Sequence, residues 1–247
     1  LYTVAHISQQ PGTTLSNKVH YRKTGRQEMV AKLKAEEIVA FSEAVVVEEY
    51  FEGLTIFLQS YSIGGLRPNT VLVTLPPPEA PERRVRFFKT MEILCTFNLN
   101  LVVFKPGDMA LSKRKRTIDL WWRGEKNGSL MALFAYLMTL DKTWANAELR
   151  ILRIVRNKTE EELAKKHLEG LREKTRINAK IVVLNTEDPP PDVIAAESGP
   201  VADLVLLGMS ASSGADIRQF VDHTEKLLES LPPTVLVWSN GEADVFV

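Results

Sequence analysis

The feature that most constrains this chain is a recurring kind of strand. Residues 44–47 (AVVV), 70–75 (TVLVTL), 99–104, 149–155, 202–209 (ADLVLLGM) and 234–238 are rich in Val, Ile and Leu with little polar alternation. A strand with one wet face alternates apolar and polar residues, so these runs demand cover on both sides. Between them lie stretches with helical spacing of apolar residues, at 25–41, 53–63, 83–97, 129–140, 160–175 and 213–231. Strands and helices in alternation give a parallel sheet covered by helices on both faces. The fold class is α/β, with two subdomains, each a mainly parallel sheet flanked by helices.

Local punctuation supplies the boundaries. Residues 1–8 read as a first strand, and 9–21, polar and holding Pro11-Gly12, as a loop. Gly64-Gly65 stands where a C-cap would close the helix at 53–63. Three prolines, Pro76 to Pro78, stop the strand before them. Thr159, with Glu162 three residues on, fits a capping box for the next helix. Pro189 to Pro191 open a short helix to Glu197, and Asn240-Gly241 makes a turn into a last strand at 243–247. Residues 106–117 break the pattern with Pro106-Gly107 and a basic run, Lys113-Arg114-Lys115-Arg116. Read as a linker, they divide the chain into subdomains 1–111 and 112–247.

Residues 118–137, IDLWWRGEKNGSLMALFAYL, compress a strand, a turn and a helix into one segment. Alternation places Ile118, Leu120 and Trp122 on one strand face and Asp119, Trp121 and Arg123 on the other. Gly124 to Gly128 reads as a turn, with Asn127-Gly128 suited to positive φ. Ser129 reads as the N-cap of the apolar helix that follows. The segment holds no nucleophile, metal cluster or phosphate loop; it is built to pack.

Composition removes several function classes. Lys plus Arg number 31 and so do Asp plus Glu, so the net charge is zero and a nucleic-acid binder resting on a basic surface is excluded. One cysteine, Cys95, rules out a disulfide within the chain, and in its apolar setting it reads as a small buried hydrophobe. The four histidines, His6, His20, His167 and His223, share no metal-ligand spacing. The longest apolar run, residues 130–138, is far short of the ~20 residues a membrane span needs. No charged n-region of a signal peptide precedes an apolar core at Leu1. The chain opens inside a strand-like run, which fits a piece of a longer polypeptide.

Open α/β sheets take ligands at the carboxyl ends of their strands. After the strand at 202–207 the small polar loop of Gly208, Met209, Ser210, Ala211, Ser212, Ser213 and Gly214 is the best anion site on offer, although it matches neither a P-loop nor a dinucleotide fingerprint. Its candidate residues are Gly208, Ser212, Ser213 and Gly214. Acidic spots at Glu48-Glu49 and Glu160 to Glu162 read as solvated element ends. No Ser/His/Asp set can be assembled, so no catalytic residue, cofactor or metal is expected. The basic run Lys113 to Arg116 reads as a solvated linker or as a contact with anionic lipid headgroups, each basic residue contributing ~1 kcal/mol near an anionic surface. Ser112 and Thr117 flank it, where a phosphate would change the charge sharply.

Asp119-Leu120-Trp121-Trp122, the glycine-containing turn and the apolar helix ending in Tyr136-Leu137 resemble the signature of the cytosolic C-terminal domain of cation-chloride cotransporters, the Na-K-Cl and K-Cl symporters. Gly64-Gly65-Leu66-Arg67-Pro68-Asn69-Thr70-Val71 resembles that family's segment before a buried strand, with Gly65, Pro68 and Asn69 as its specific residues. Trp144 followed by Leu149-Arg150-Ile151, and the strands at 202–207 and 235–238, fall in the family's order. The stretch 123–128 carries less acid and glycine than the family does, and long insertions are missing. The resemblance implies a cytosolic regulatory domain at the membrane's cytoplasmic face that pairs with its twin in a homodimer and is joined to the transmembrane domain of the same polypeptide. It conducts no ions itself.

The architecture also resembles universal stress proteins, some of which bind ATP through Gly-x-x-Gly, nine residues, then Gly-Ser or Gly-Thr. That motif would start at Gly208 and needs glycine where Ala211 stands. A free-standing nucleotide-binding stress-type protein is thus the alternative reading, and a small-molecule enzyme on a doubly wound sheet a third.

Overall fold

The structure is a computed structural model that describes residues 2–63, 65–108, 115–175, 177–210 and 216–242. The chain divides into two compact units, Leu1–Pro68 and Asn69–Val247.

The first unit is a βαβα arrangement. Strands β1 (Thr3–Gln9) and β2 (Phe41–Val47) pair in parallel, with His6 opposite Ala44, and helix α1 (Leu15–Ala35) makes the crossover between them. Helix α2 (Tyr50–Ser60) follows β2. The polar stretch expected to be a loop to Tyr21 is helical from Leu15. Thr14 caps it by accepting from Asn17 N–H, and Lys18 pairs with Glu48, which also accepts from Gly12 N–H. A cap and an ion pair fold a segment whose lack of apolar periodicity reads as loop. At the other end Phe41 lies in β2, outside the helix. Gly25 lets α1 lie on β1: a Cβ there would come within 2.9 Å of the His6 ring. Helix α2 ends at Ser60, before the glycine pair, and Gly65 (φ +88°) instead turns a one-residue bridge between Ile63 and Leu66. Gly64 lies outside the described residues.

The second unit is built on a seven-stranded sheet. Its strands are β3 (Thr70–Thr74), β4 (Asn100–Lys105), β5 (Thr117–Trp121), β6 (Glu148–Val155), β7 (Ala179–Asn185), β8 (Leu204–Gly208) and β9 (Thr234–Trp238), in spatial order β3-β4-β9-β8-β5-β6-β7. Every neighbouring pair is parallel except β4–β9. Helices α3 (Pro81–Cys95), α4 (Glu125–Thr139), α5 (Lys158–Thr175), α6 (Pro190–Ser198) and α7 (Ile217–Glu229) cover it. The parallel sheet with flanking helices is as the apolar runs require. The 111/112 boundary is a correction: β3 and β4, placed in the first subdomain from sequence, lie in one sheet with β5 to β9. Pro106-Gly107 and the basic run look like a linker locally. The antiparallel pairing of Leu101 to Lys105 with Thr234 to Trp238 joins the strands across it, and such long-range pairing leaves no local trace.

Strand β5 is buried along its whole length. Ile118, Leu120 and Trp122 pack with Leu130, Met131 and Ala135 of α4, Leu149 and Ile151 of β6, Leu168 and Leu171 of α5, and Leu204 and Leu206 of β8. Burying each of these large side chains contributes about 1.5–3 kcal/mol.

Candidate functional site

The segment at 118–137 folds differently at its turn. Gly124 to Gly128 does not reverse the chain; α4 begins at Glu125, and Gly128 and Ser129 are buried inside its first two turns. A Cβ on Gly128 would lie 2.6–2.7 Å from three atoms of the Trp122 ring. Gly128 is therefore needed for close approach of helix to indole, in place of the positive φ expected from Asn127-Gly128.

The strand faces fall as the alternation requires, and the polar face carries a buried network. Arg150 stands opposite Asp119 in the β5–β6 register. Its guanidinium grips the Asp119 carboxylate through Nε (2.7 Å) and an Nη (2.6 Å). The other Nη donates to Glu197 Oε1 at 2.9 Å. The Ser198 hydroxyl donates to Asp119 Oδ2 at 2.6 Å and accepts from Trp121 Nε1–H at 2.9 Å. Asp119 and Ser198 are fully buried and Arg150 nearly so. The hydrogen bonds to Asp119 raise the Arg150 pKa above its ordinary value. This network ties β5, β6 and α6 together, and it absorbs the acid and the first tryptophan of the Asp-Leu-Trp-Trp piece. Arg150, Glu197 and Ser198 were not singled out from sequence as its partners. Arg150 could have been: an arginine in an apolar strand needs a buried acid.

The connections around β5 create a second feature. β5 leads through α4 to β6 on one side, and β7 returns through α6 to β8 on the other. The order reverses between β5 and β8, and such a reversal opens a crevice beyond the strand ends. Here it is a cleft of about 270 Å³ lined by Trp121, Arg123, Gly124, Lys126, Asn127, Met131, Gly208, Met209 and Ser210. Of the expected anion loop it contains Gly208; Ser212, Ser213 and Gly214 lie outside the described residues. Asn127 sews the cleft's floor, donating to Met209 C=O at 2.7 Å and accepting from Ser239 N–H at 2.8 Å. A Cβ on Gly208 would come within 3.0 Å of the Asn127 amide nitrogen, so that glycine serves packing. Arg123 and the uncapped N-terminus of α4 are the electropositive elements of the wall; the Lys126 ammonium lies 4.8 Å over the Trp238 ring. The arrangement can hold an anion, and among the described residues it offers no nucleophile with a base beside it.

Of the basic run, Lys113 and Arg114 lie outside the described residues, as does Ser112. Arg116 is engaged: its guanidinium lies 4.9 Å over the Trp144 ring, and its carbonyl accepts from Glu148 N–H. Thr117 is buried at the start of β5, its N–H bonded to Asp203 Oδ2 at 2.8 Å, so a phosphate there would break the strand's first pairing. The expected last strand, 243–247, lies outside the described residues. Asn157, not Thr159, caps α5 by accepting from Glu160 N–H at 2.9 Å. Cys95 is half-buried, and burial, aided by Glu92, pushes its thiol up to about 11. It is an inert thiol at neutral pH. Among the described residues no group of His, Cys, Asp and Glu could hold a metal ion, and no helix is long and apolar enough to cross a membrane.

Two layers of comparison locate the chain. In fold it is an α/β protein, similar to a universal stress protein from Archaeoglobus fulgidus that superposes with TM-score 0.59 at 11% identity, covering 99% of this chain and 88% of that one. The cytoplasmic domain of a prokaryotic cation chloride cotransporter superposes with TM-score 0.68 at 19% identity, covering 97% of this chain and 86% of that one. In sequence, the family model of solute carrier family 12 matches residues 103–196. Potassium/chloride cotransporter 3 of Caenorhabditis elegans is 33% identical over 135 residues, 53% of this chain. The chain spans only 12% of that relative's length. Residues 103–196 thus carry the solute carrier family 12 pattern, and the resemblance to cation-chloride cotransporters holds. The matched stretch includes Asp119, Trp121, Trp122 and Arg150 and stops one residue before Glu197; Gly65, Pro68 and Asn69 fall outside it.

Proposed function

We propose that this chain is a regulatory and dimerisation domain on the cytoplasmic side of an electroneutral cation-chloride cotransporter, attached to the transporter's membrane part and not itself conducting ions. The observation that carries the reading is the fate of the Asp119-Leu120-Trp121-Trp122 piece. Its residues are spent inside the sheet on packing and a closed ion-pair network, as suits a scaffold that transmits position and not a site that turns over substrate. Gly65, Pro68 and Asn69 are given a structural part in the same family signature, and Lys113, Arg114, Lys115 and Arg116 are the contact proposed with anionic lipid.

The test is chloride-dependent cation uptake by cells expressing the full-length polypeptide that contains this chain. Disrupting the network with Arg150→Met should lower uptake and surface delivery together while leaving ion selectivity unchanged. A full-length protein with no chloride-dependent uptake would sink the reading.

The crevice between β5 and β8, with Arg123 and Lys126 on its wall, supports a second reading as a nucleotide-binding stress-type protein. Stoichiometric ATP binding that is lost on Arg123→Glu would favour it; no heat of binding in calorimetry would remove it.

A further inference from the structure

The two edges of the seven-stranded sheet are built differently. β3 ends one edge; it is five residues long, with Pro68 just before it and Pro76 to Pro78 just after. β7 ends the other; its seven residues, Ala179–Asn185, run in unbroken register with β6 and hold no proline and a single charge, Lys180. Among the described residues no strand pairs with its outer side. The backbone groups on that side can be named. Thr186 N–H donates to Val155 C=O at 3.1 Å, so it faces β6. Direction alternates along a strand, which turns Leu184, Val182 and Lys180 to β6 as well and leaves the N–H and C=O of Ile181, Val183 and Asn185 on the free edge. Native sheets keep such edges from pairing with other chains by brevity, proline, bulges or charge. β7 has only Lys180, at its start.

The two faces beside this edge select what pairs with it. Ile181 and Val183 pack against the core that α4 and α5 share. Leu184, on the opposite strand face, lines a groove of about 460 Å³ together with Val193, Ala196 and the carboxylates of Asp188, Asp192 and Glu197. Glu197 is held by Arg150, and the Arg156 guanidinium is spent on the carbonyls of Thr186 and Asp188. Asp188 and Asp192 have no ion-pair partner among the described residues. A strand added to an edge presents alternate side chains to the two faces of the sheet. Those over the groove meet uncompensated negative charge, and those over the other face meet Ile181 and Val183. A second β7 brings Lys180 as its only cation, so charge complementarity selects a basic segment of another protein.

We propose that the free edge of β7 takes up an extended, basic segment of a partner protein, which adds as a strand and lays Lys or Arg side chains against Asp188 and Asp192. The inference is independent of the transporter reading. The experiment mixes the 247-residue chain with a labelled, end-blocked peptide, Lys-Val-Lys-Val-Lys-Val, and follows fluorescence anisotropy together with amide hydrogen exchange. Binding should saturate at one peptide per chain and slow exchange at Ile181, Val183 and Asn185, while Val182 and Leu184, already bonded to β6, change little. Methylating the peptide's backbone nitrogens keeps its charge and removes its donors; binding should weaken more than about tenfold. Asp188→Asn/Asp192→Asn should weaken it about fivefold with unchanged circular dichroism. A methylated peptide that binds equally well, with no exchange protection, would overturn the edge in favour of charge alone. Binding that ignores the double Asp variant would overturn the basic partner. Edge protection that rises with protein concentration when no peptide is present would replace the partner protein with a second copy. Absence of binding at millimolar peptide would end the proposal.

Discussion

The two faces of β5 solve the same problem in opposite ways. On one face Ile118, Leu120 and Trp122 meet α4 and α5 mainly through apolar contact, with Gly128 cut back so that the Trp122 ring fits. On the other, Asp119 and Trp121 meet β6 and α6 through a carboxylate, a guanidinium, a hydroxyl and an indole N–H, equally buried. The apolar face draws its stability from area and shape. The polar face contributes less net stability for its size, because desolvating Asp119 and Arg150 offsets much of their attraction. What it adds is register: a slip of β5 against β6 by one residue would part Asp119 from Arg150 and leave both charges buried and unpaired.

That comparison can be broken in the unfolding of the chain by urea. Arg150→Met should cost about 3–5 kcal/mol, because it leaves Asp119 charged and unpaired at full burial. The double change Asp119→Leu/Arg150→Met should recover roughly half of that loss or more, since no charge is then stranded. No recovery would mean the polar face is prized for its strength and not its register. Trp122→Ala should cost about 3–5 kcal/mol with no such rescue available, as it opens a cavity in close-packed core.

Smaller changes sharpen the contrast. Gly→Ala inside a helix ordinarily stabilises by about 1 kcal/mol. Gly128→Ala should instead destabilise by about 1–2 kcal/mol, because its Cβ meets the Trp122 ring. A thermal midpoint that rises would show that the indole has room to move. Trp121→Phe keeps an aromatic ring but removes the N–H that Ser198 accepts and part of the indole's volume; about 1–3 kcal/mol should be lost, less than for either whole-side-chain deletion. A neutral result would place the burden of the network on Asp119, Arg150 and Ser198 alone.

Much of this was legible in the chain. Runs such as TVLVTL and ADLVLLGM announce buried strands, and the alternation in IDLWW sorts its residues onto the two faces they occupy. Both follow from the period of two along a strand, which is local. Helix starts were less legible. Residues 15–21 and 125–128 are helical because of a cap, an ion pair and a tryptophan that accepts only glycine against it. The cap and the tryptophan act over three to six residues without leaving an apolar period, and only the Lys18–Glu48 pair lies beyond the window in which periodicity is read. The candidate loop at Gly208 was placed at a strand's carboxyl end from sequence, but its neighbours Arg123, Lys126 and Asn127 come from a different βα turn, joined to it by the strand order.

The division of labour is physical. Composition and short-range pattern were enough for the α/β class and for the family resemblance, because each rests on residues adjacent in the chain. The sheet order, the antiparallel join of β4 to β9 and the partnership of Asp119 with Arg150 and Ser198 needed the folded chain. Each depends on contacts between residues 31 to 137 positions apart, whose pairing is chosen by the closing of the whole core.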